Sequence, residues 1–146
     1  MLCRRECTTG TAYNSVPEET ATSRERILFV CTANIDRSRT AEDLYARDVR
    51  YEVRSAGVAP FAAVPLTREL LLWADRVFVL NESEDQHRTI IRIRFPDVDR
   101  PIVDLDVEDR WRRGHPELVD LLQRRLRPHI GAPVSARDEA QCREEG

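Results

Sequence analysis

Cys31 and Arg37 stand six residues apart, and Ser38 follows at once, in the run Cys31-Thr32-Ala33-Asn34-Ile35-Asp36-Arg37-Ser38. A thiol so placed can act as a nucleophile if it loses its proton easily and donors meet the charge built up at its target. Helix N-termini and a neighbouring arginine lower a cysteine pKa from about 8.5 into the range of roughly 3.5 to 7.5. Arg37 offers a planar, two-pronged donor to a tetrahedral oxyanion, which a lysine could not. The Ser38 hydroxyl can donate to the thiolate, and the amides of Thr32, Ala33, Asn34, Ile35 and Asp36 can line a cradle for the same anion. Each residue also has a plainer reading. Cys31 alone fits a buried core cysteine, Ser38 a helix N-cap, and Asn34 a turn residue that tolerates left-handed backbone. Arg37 is harder to dismiss, because the positive end of a helix disfavours a cation unless an anion compensates.

The elements around the run are those that such a loop requires. Ile27-Leu28-Phe29-Val30 is a continuous apolar run, as is Val77-Phe78-Val79-Leu80, and both read as central strands covered on two faces. Tyr51-Glu52-Val53-Arg54 alternates and reads as an edge strand, with Ile102-Val103-Asp104-Leu105 as the fourth. Ala41, Leu44, Tyr45 and Val49 recur at helical spacing, with Glu42 and Asp43 expected in the first turn. Pro65-Leu66-Thr67 opens a second helix, Ser83 with Gln86 forms a capping-box signature for a third, and His115-Pro116 opens a last one that buries Leu118, Leu121, Leu122 and Leu126. Short strands alternating with helices predict an α/β three-layer sandwich, a four-stranded parallel sheet of order 2-1-3-4 with helices on both faces. The Cys31 loop then lies at the carboxyl end of the sheet, where open α/β folds bind ligands.

A chain of 146 residues has room for one domain. Residues 1–24 and 135–146 lack periodicity and read as a flexible extension and tail around a domain spanning 25–134. The net charge of -3, from 26 acids against 23 bases that are all arginine, gives no general attraction to nucleic acid. No apolar stretch approaches the roughly 18 residues of a membrane span. The other cysteines, Cys3, Cys7 and Cys142, show no metal-ligand spacing with Cys31, nor do His87, His115 and His129, so neither metal nor cofactor is expected. With no leader before Ile27, a reducing cytoplasm is the expected location.

The run VCTANIDRS resembles the C-x5-R-S signature of the low-molecular-weight protein tyrosine phosphatase family. TAEDLY resembles the start of that family's first helix, Ser55-Ala56-Gly57 its S-A-G segment, and Val107-Glu108-Asp109-Arg110-Trp111 its acid loop, so the resemblance spans nearly all of residues 27–130. It implies hydrolysis of aryl phosphates, such as phosphotyrosine on a protein or a small phosphoester. Cys31 would form a phosphocysteine, Arg37 and the loop amides would hold the phosphoryl oxygens, and Asp109 would act as general acid, with Asp106 the alternative. Trp111 would wall the substrate's ring.

The sequence departs from the family pattern in three ways, at four positions. Ala33 replaces a glycine, Asp36 stands where many relatives carry a second cysteine, and Arg39 and Arg110 replace common prolines. A carboxylate at Asp36 facing a phosphate at ~7 Å would cost roughly 2 kcal/mol at an effective dielectric of 20, so it is expected to point outward. Without a proline after Asp109, the acid loop must find its rigidity elsewhere. The departures at Ala33 and Asp36 suggest one competing reading, a catalytically silent phosphate- or phosphotyrosine-binding module. A thiol-dependent arsenate reductase, a chemistry found on the fold that the resemblance implies, would need further cysteines to relay oxidation, and Asp36 in the loop and the other cysteines in the tails count against it.

Overall fold

The first apolar run forms β1 (Glu25–Cys31), and its alternate residues face two different cores. Ile27, Phe29 and Cys31 pack with one cluster, Leu28 and Val30 with the other, so β1 must be covered on both faces. It pairs in parallel with β2 (Tyr51–Gly57) on one side and β3 (Arg76–Val79) on the other, and β3 pairs with β4 (Ile102–Asp104). The sheet order is therefore β2-β1-β3-β4, the expected 2-1-3-4. The computed structural model describes residues 24–134; the rest of the extension and the tail, with Cys3, Cys7 and Cys142, lie outside the described residues.

Helix α1 (Arg37–Tyr45) and helix α4 (Pro116–Ile130) cover one face through Ala41, Tyr45, Leu118, Leu122, Leu126 and Ile130. Helix α2 (Arg68–Trp73) and helix α3 (His87–Arg94) cover the other with Leu71 and Ile91. The result is the three-layer α/β sandwich.

Local chemistry moves several boundaries. Glu42 and Asp43 do not lie in the first turn of α1, because the helix begins at Arg37 itself. Ser38 accordingly sits inside that turn, and Asp36 holds the N-cap position in its place. Val49 is exposed and lies past the helix end, where the buried carboxylate of Asp48 turns the chain by accepting from the backbone N–H of Arg50 and that of Val134. The expected capping box does not form: Gln86, left-handed at φ 56°, precedes α3, and Glu82 accepts from the N–H groups of Arg88 and Thr89. His115 caps α4 by accepting at Nδ1 from the Glu117 N–H, as its place before Pro116 suggested.

At the carboxyl end of β2, Gly57 approaches the Cys31 loop closely. A Cβ there would fall 2.4 Å from the Thr32 carbonyl oxygen and 3.0 Å from the Asn34 nitrogen. The segment after it is tied to the same loop by Val58 N–H to the Cys31 carbonyl (2.9 Å), Ala59 N–H to that of Thr32 (3.0 Å) and Ala63 N–H to that of Ala33 (3.0 Å).

Candidate active site

The loop between β1 and α1 curls around the Cys31 sulfur. Asn34, left-handed at φ 58°, turns its backbone N–H onto Sγ at 3.2 Å. Ser38 Oγ lies 2.9 Å from Sγ and accepts from the Asn34 side-chain amide at 2.8 Å. With that acceptor site used, the Ser38 proton is free to point at the sulfur. Two donors thus converge on Cys31, the arrangement that accommodates a thiolate. Ala33 occupies its place without left-handed backbone, which answers how a methyl group is tolerated there.

Arg37 is 2% exposed, an unusual burial for a guanidinium, and it is balanced by acceptors from the segments that follow β3 and β4. Its Nη1 donates to Asp85 Oδ2 at 2.8 Å and to the Val107 carbonyl at 3.0 Å, while Nε lies 3.8 Å from Asp109 Oδ1. Cys31, Thr32, Ala33, Ile35, Asp36, Arg37, Phe61 and Asp109 line one pocket of about 260 Å³. The sequence-selected loop, arginine and acid are therefore brought to one cavity, apart from Asn34 and Ser38, which support its floor from beneath.

Other residues fall elsewhere. Asp106 is left-handed at φ 56° and turns its carboxylate toward Arg125, 3.7 Å away, outside this pocket. Trp111 lines a neighbouring hollow with Pro116, Glu117, Asp120, Leu121 and Arg124, and its indole N–H donates to Glu117 at 3.1 Å. The aromatic ring at the pocket itself is Phe61, 75% exposed, held by the turn that is bonded to the Cys31 loop. Ile35, also exposed, adds an apolar wall. Asp36 points away from the floor, its Oδ1 accepting the Arg113 N–H at 2.9 Å.

Asp85 carries no signal in the sequence, and His87 reads there only as a histidine without metal-ligand spacing. His87 is fully buried, and its Nδ1 accepts from the Asn81 N–H at 3.1 Å. The ring proton then sits on Nε2, 2.9 Å from the Thr32 hydroxyl oxygen that receives it. Burial first, and the Arg37 charge second, push the His87 pKa down to about 4, so the ring is neutral at ordinary pH. An acidic segment before a helix reads as surface; only a signal tying Asp85 to Arg37, 48 residues away, could have marked it.

No family model matches the chain, and no curated protein matches it. Solved structures do. The YwlE arginine phosphatase from Geobacillus stearothermophilus is 25% identical, with a TM-score of 0.55 over 84% of this chain and 97% of that one. A cysteine-to-serine mutant of a YwlE arginine phosphatase, with a phosphorylated active-site serine, is 28% identical, with a TM-score of 0.55 over 72% of this chain and 95% of that one. A low-molecular-weight protein tyrosine phosphatase from T. tengcongensis is 25% identical, with a TM-score of 0.56 over 73% of this chain and 99% of that one.

Proposed function

Because the chain belongs to the low-molecular-weight protein tyrosine phosphatase family, we propose that it hydrolyses aryl phosphate monoesters, of the phosphotyrosine kind, through a phosphocysteine. The observation that carries the reading is the Cys31 sulfur at the floor of a pocket, with donors from Asn34 and Ser38 on it and the Arg37 guanidinium beside it.

The Cys31 thiolate attacks phosphorus, and the bond to the leaving oxygen breaks. Arg37 and the amides of residues 32–36 hold the equatorial oxygens as charge shifts onto them, making residues 31–38 a phosphate-binding loop. These donors are fixed beforehand: Asp85 and Val107 anchor Nη1 of the guanidinium, so Nε and the other terminal nitrogen of this pocket-lining arginine are not engaged by them. Asp109, beside Arg37 Nε, gives its proton to the departing phenolate and then takes one from the water that cleaves the phosphorus–sulfur bond. Asp106, turned to Arg125, is left to the surface. The silent-module alternative loses its motive, since Ala33 distorts nothing and Asp36 bonds outside the floor.

Phe61 and Ile35 give the pocket apolar walls that suit an aromatic ring, and Phe61, not Trp111, takes the walling role. This favours phosphotyrosine over the phosphoarginine of the arginine phosphatases named above. A thiol nucleophile works only where it stays reduced, in keeping with a cytoplasmic location. Rapid acid quench of a reaction with an aryl phosphate is expected to yield phosphorylated Cys31 by mass spectrometry, with no turnover in Cys31→Ser. Undiminished hydrolysis by that variant would end the proposal.

A further inference from the structure

On that reading of the site, we propose that Asp36 and Arg113 form a strap that holds the acid loop in register over Arg37, making both positioning residues for proton transfer by Asp109. Asp36 is of a type favoured at helix N-caps, where its carboxylate would accept from its own first turn. It makes no such bond. Its Oδ1 instead accepts the backbone N–H of Arg113 at 2.9 Å, across 77 residues of sequence. The next N–H, that of Gly114, donates to Thr40 Oγ1 at 3.0 Å, and Thr40 in turn donates to the Asp36 carbonyl at 2.7 Å. The Arg113 guanidinium then closes on both Asp43 oxygens at 2.8 Å. Helix α1 thus receives the end of the acid loop on side chains from three of its positions, counting the cap.

The other end is anchored at Val107, fully buried, whose N–H donates to the Leu80 carbonyl at 2.6 Å and whose carbonyl accepts from Arg37 at 3.0 Å. Between these anchors lie only residues 108–112, and Asp109 is 64% exposed with Arg37 Nε, at 3.8 Å, its one charged neighbour within ion-pair range among the described residues. Among the described residues no hydrogen bond holds the Asp109 side chain, so beyond that long ion pair its placement over the phosphate site depends on both anchors. The stiffness that Arg110 cannot supply as a proline would comes instead from Asp36, which lies beside the reacting cysteine's arginine and so joins the two halves of the mechanism.

The test uses kcat/KM, which reports phosphocysteine formation, for phenyl phosphate, whose leaving group needs a proton, and dinitrophenyl phosphate, whose leaving group needs little. Asp36→Ala and, separately, Arg113→Ala are expected to lose about tenfold or more with phenyl phosphate and much less with the dinitro ester, since misplacing an acid removes part of its 10²–10⁴-fold contribution. Asp36→Asn, which keeps an oxygen acceptor, should recover most of the loss. In Asp36→Ala the Gly114 amide, whose acceptor Thr40 is untouched, should exchange its hydrogen faster than in wild type. Equal losses with both esters, or a Gly114 amide as protected as before, would overturn the strap. If wild type hydrolyses neither ester, the hydrolase reading falls instead, and the exchange result still decides whether the strap exists.

Discussion

The Cys31 loop and the acid loop meet in one pocket, yet they are built on opposite principles. In the first, Cys31, Asn34, Arg37 and Ser38 are each at most 3% exposed and bonded to one another or to the segments that follow β3 and β4. In the second, Asp109 is 64% exposed and, among the described residues, makes one long ion pair with Arg37 and no hydrogen bond of its own. The contrast follows from the two tasks. Stabilising developing charge on phosphoryl oxygens requires donors that need not reorganise during the reaction, which demands burial and cross-bonding. Passing a proton to a leaving group and then taking one from water requires contact with solvent. Damage to the first loop should therefore cost both fold and rate, and damage to the second mainly rate.

The sharpest break of that contrast is Arg37→Ala, expected to lower kcat on an aryl phosphate by on the order of 10³ to 10⁵, as for other arginines that meet phosphoryl charge. It also strands Asp85, so denaturant melting should show a loss of stability; a fully stable variant would deny that this loop is structural. Asp109→Asn should cost about 10² or more in kcat, with the melting curve unmoved. A matching loss of stability would erase the distinction between the loops.

His87 sharpens the comparison from behind the first loop. Its proton is bound more weakly in the folded chain, near pH 4, than in the unfolded chain, near the ordinary 6.5. Its contribution is thus complete above about pH 6.5 and declines as pH falls toward 4, by about 2 to 3 kcal/mol. Denaturant titrations at neutral and acid pH should show a shallower acid loss in His87→Gln than in wild type; parallel losses would remove His87 from the account. The smallest effect is expected at Phe61, where truncation to alanine should raise KM for an aryl phosphate about three- to tenfold through lost apolar contact, leaving alkyl phosphates little changed.

The sheet was legible because burial on two faces writes itself as an uninterrupted apolar run: Ile27–Val30 and Val77–Leu80 could be placed centrally without any partner known. Cys31, Arg37 and Ser38 were legible because their chemistry is local, set by the short path from strand to helix. What escaped the sequence was contact across it. Asp85 is one acid in an acidic stretch until Arg37 arrives from another element, and Glu82 rather than Ser83 serves α3 because a longer side chain reaches Arg88 and Thr89. Trp111 stands close to the acid in sequence, and so reads as the pocket's aromatic ring. The ring there is Phe61, because the turn carrying it is hydrogen-bonded to the Cys31 loop, while the Trp111 indole is drawn off by Glu117.

The bare backbone at Gly57 turns an outer strand into a template. Because the Thr32 carbonyl rests where a side chain would begin, the curvature that aims the anion-facing amides is moulded against a surface that never meets substrate. Even one added methyl there would push the cradle open from its far side, so the reaction's geometry is set partly by an atom the chain omits.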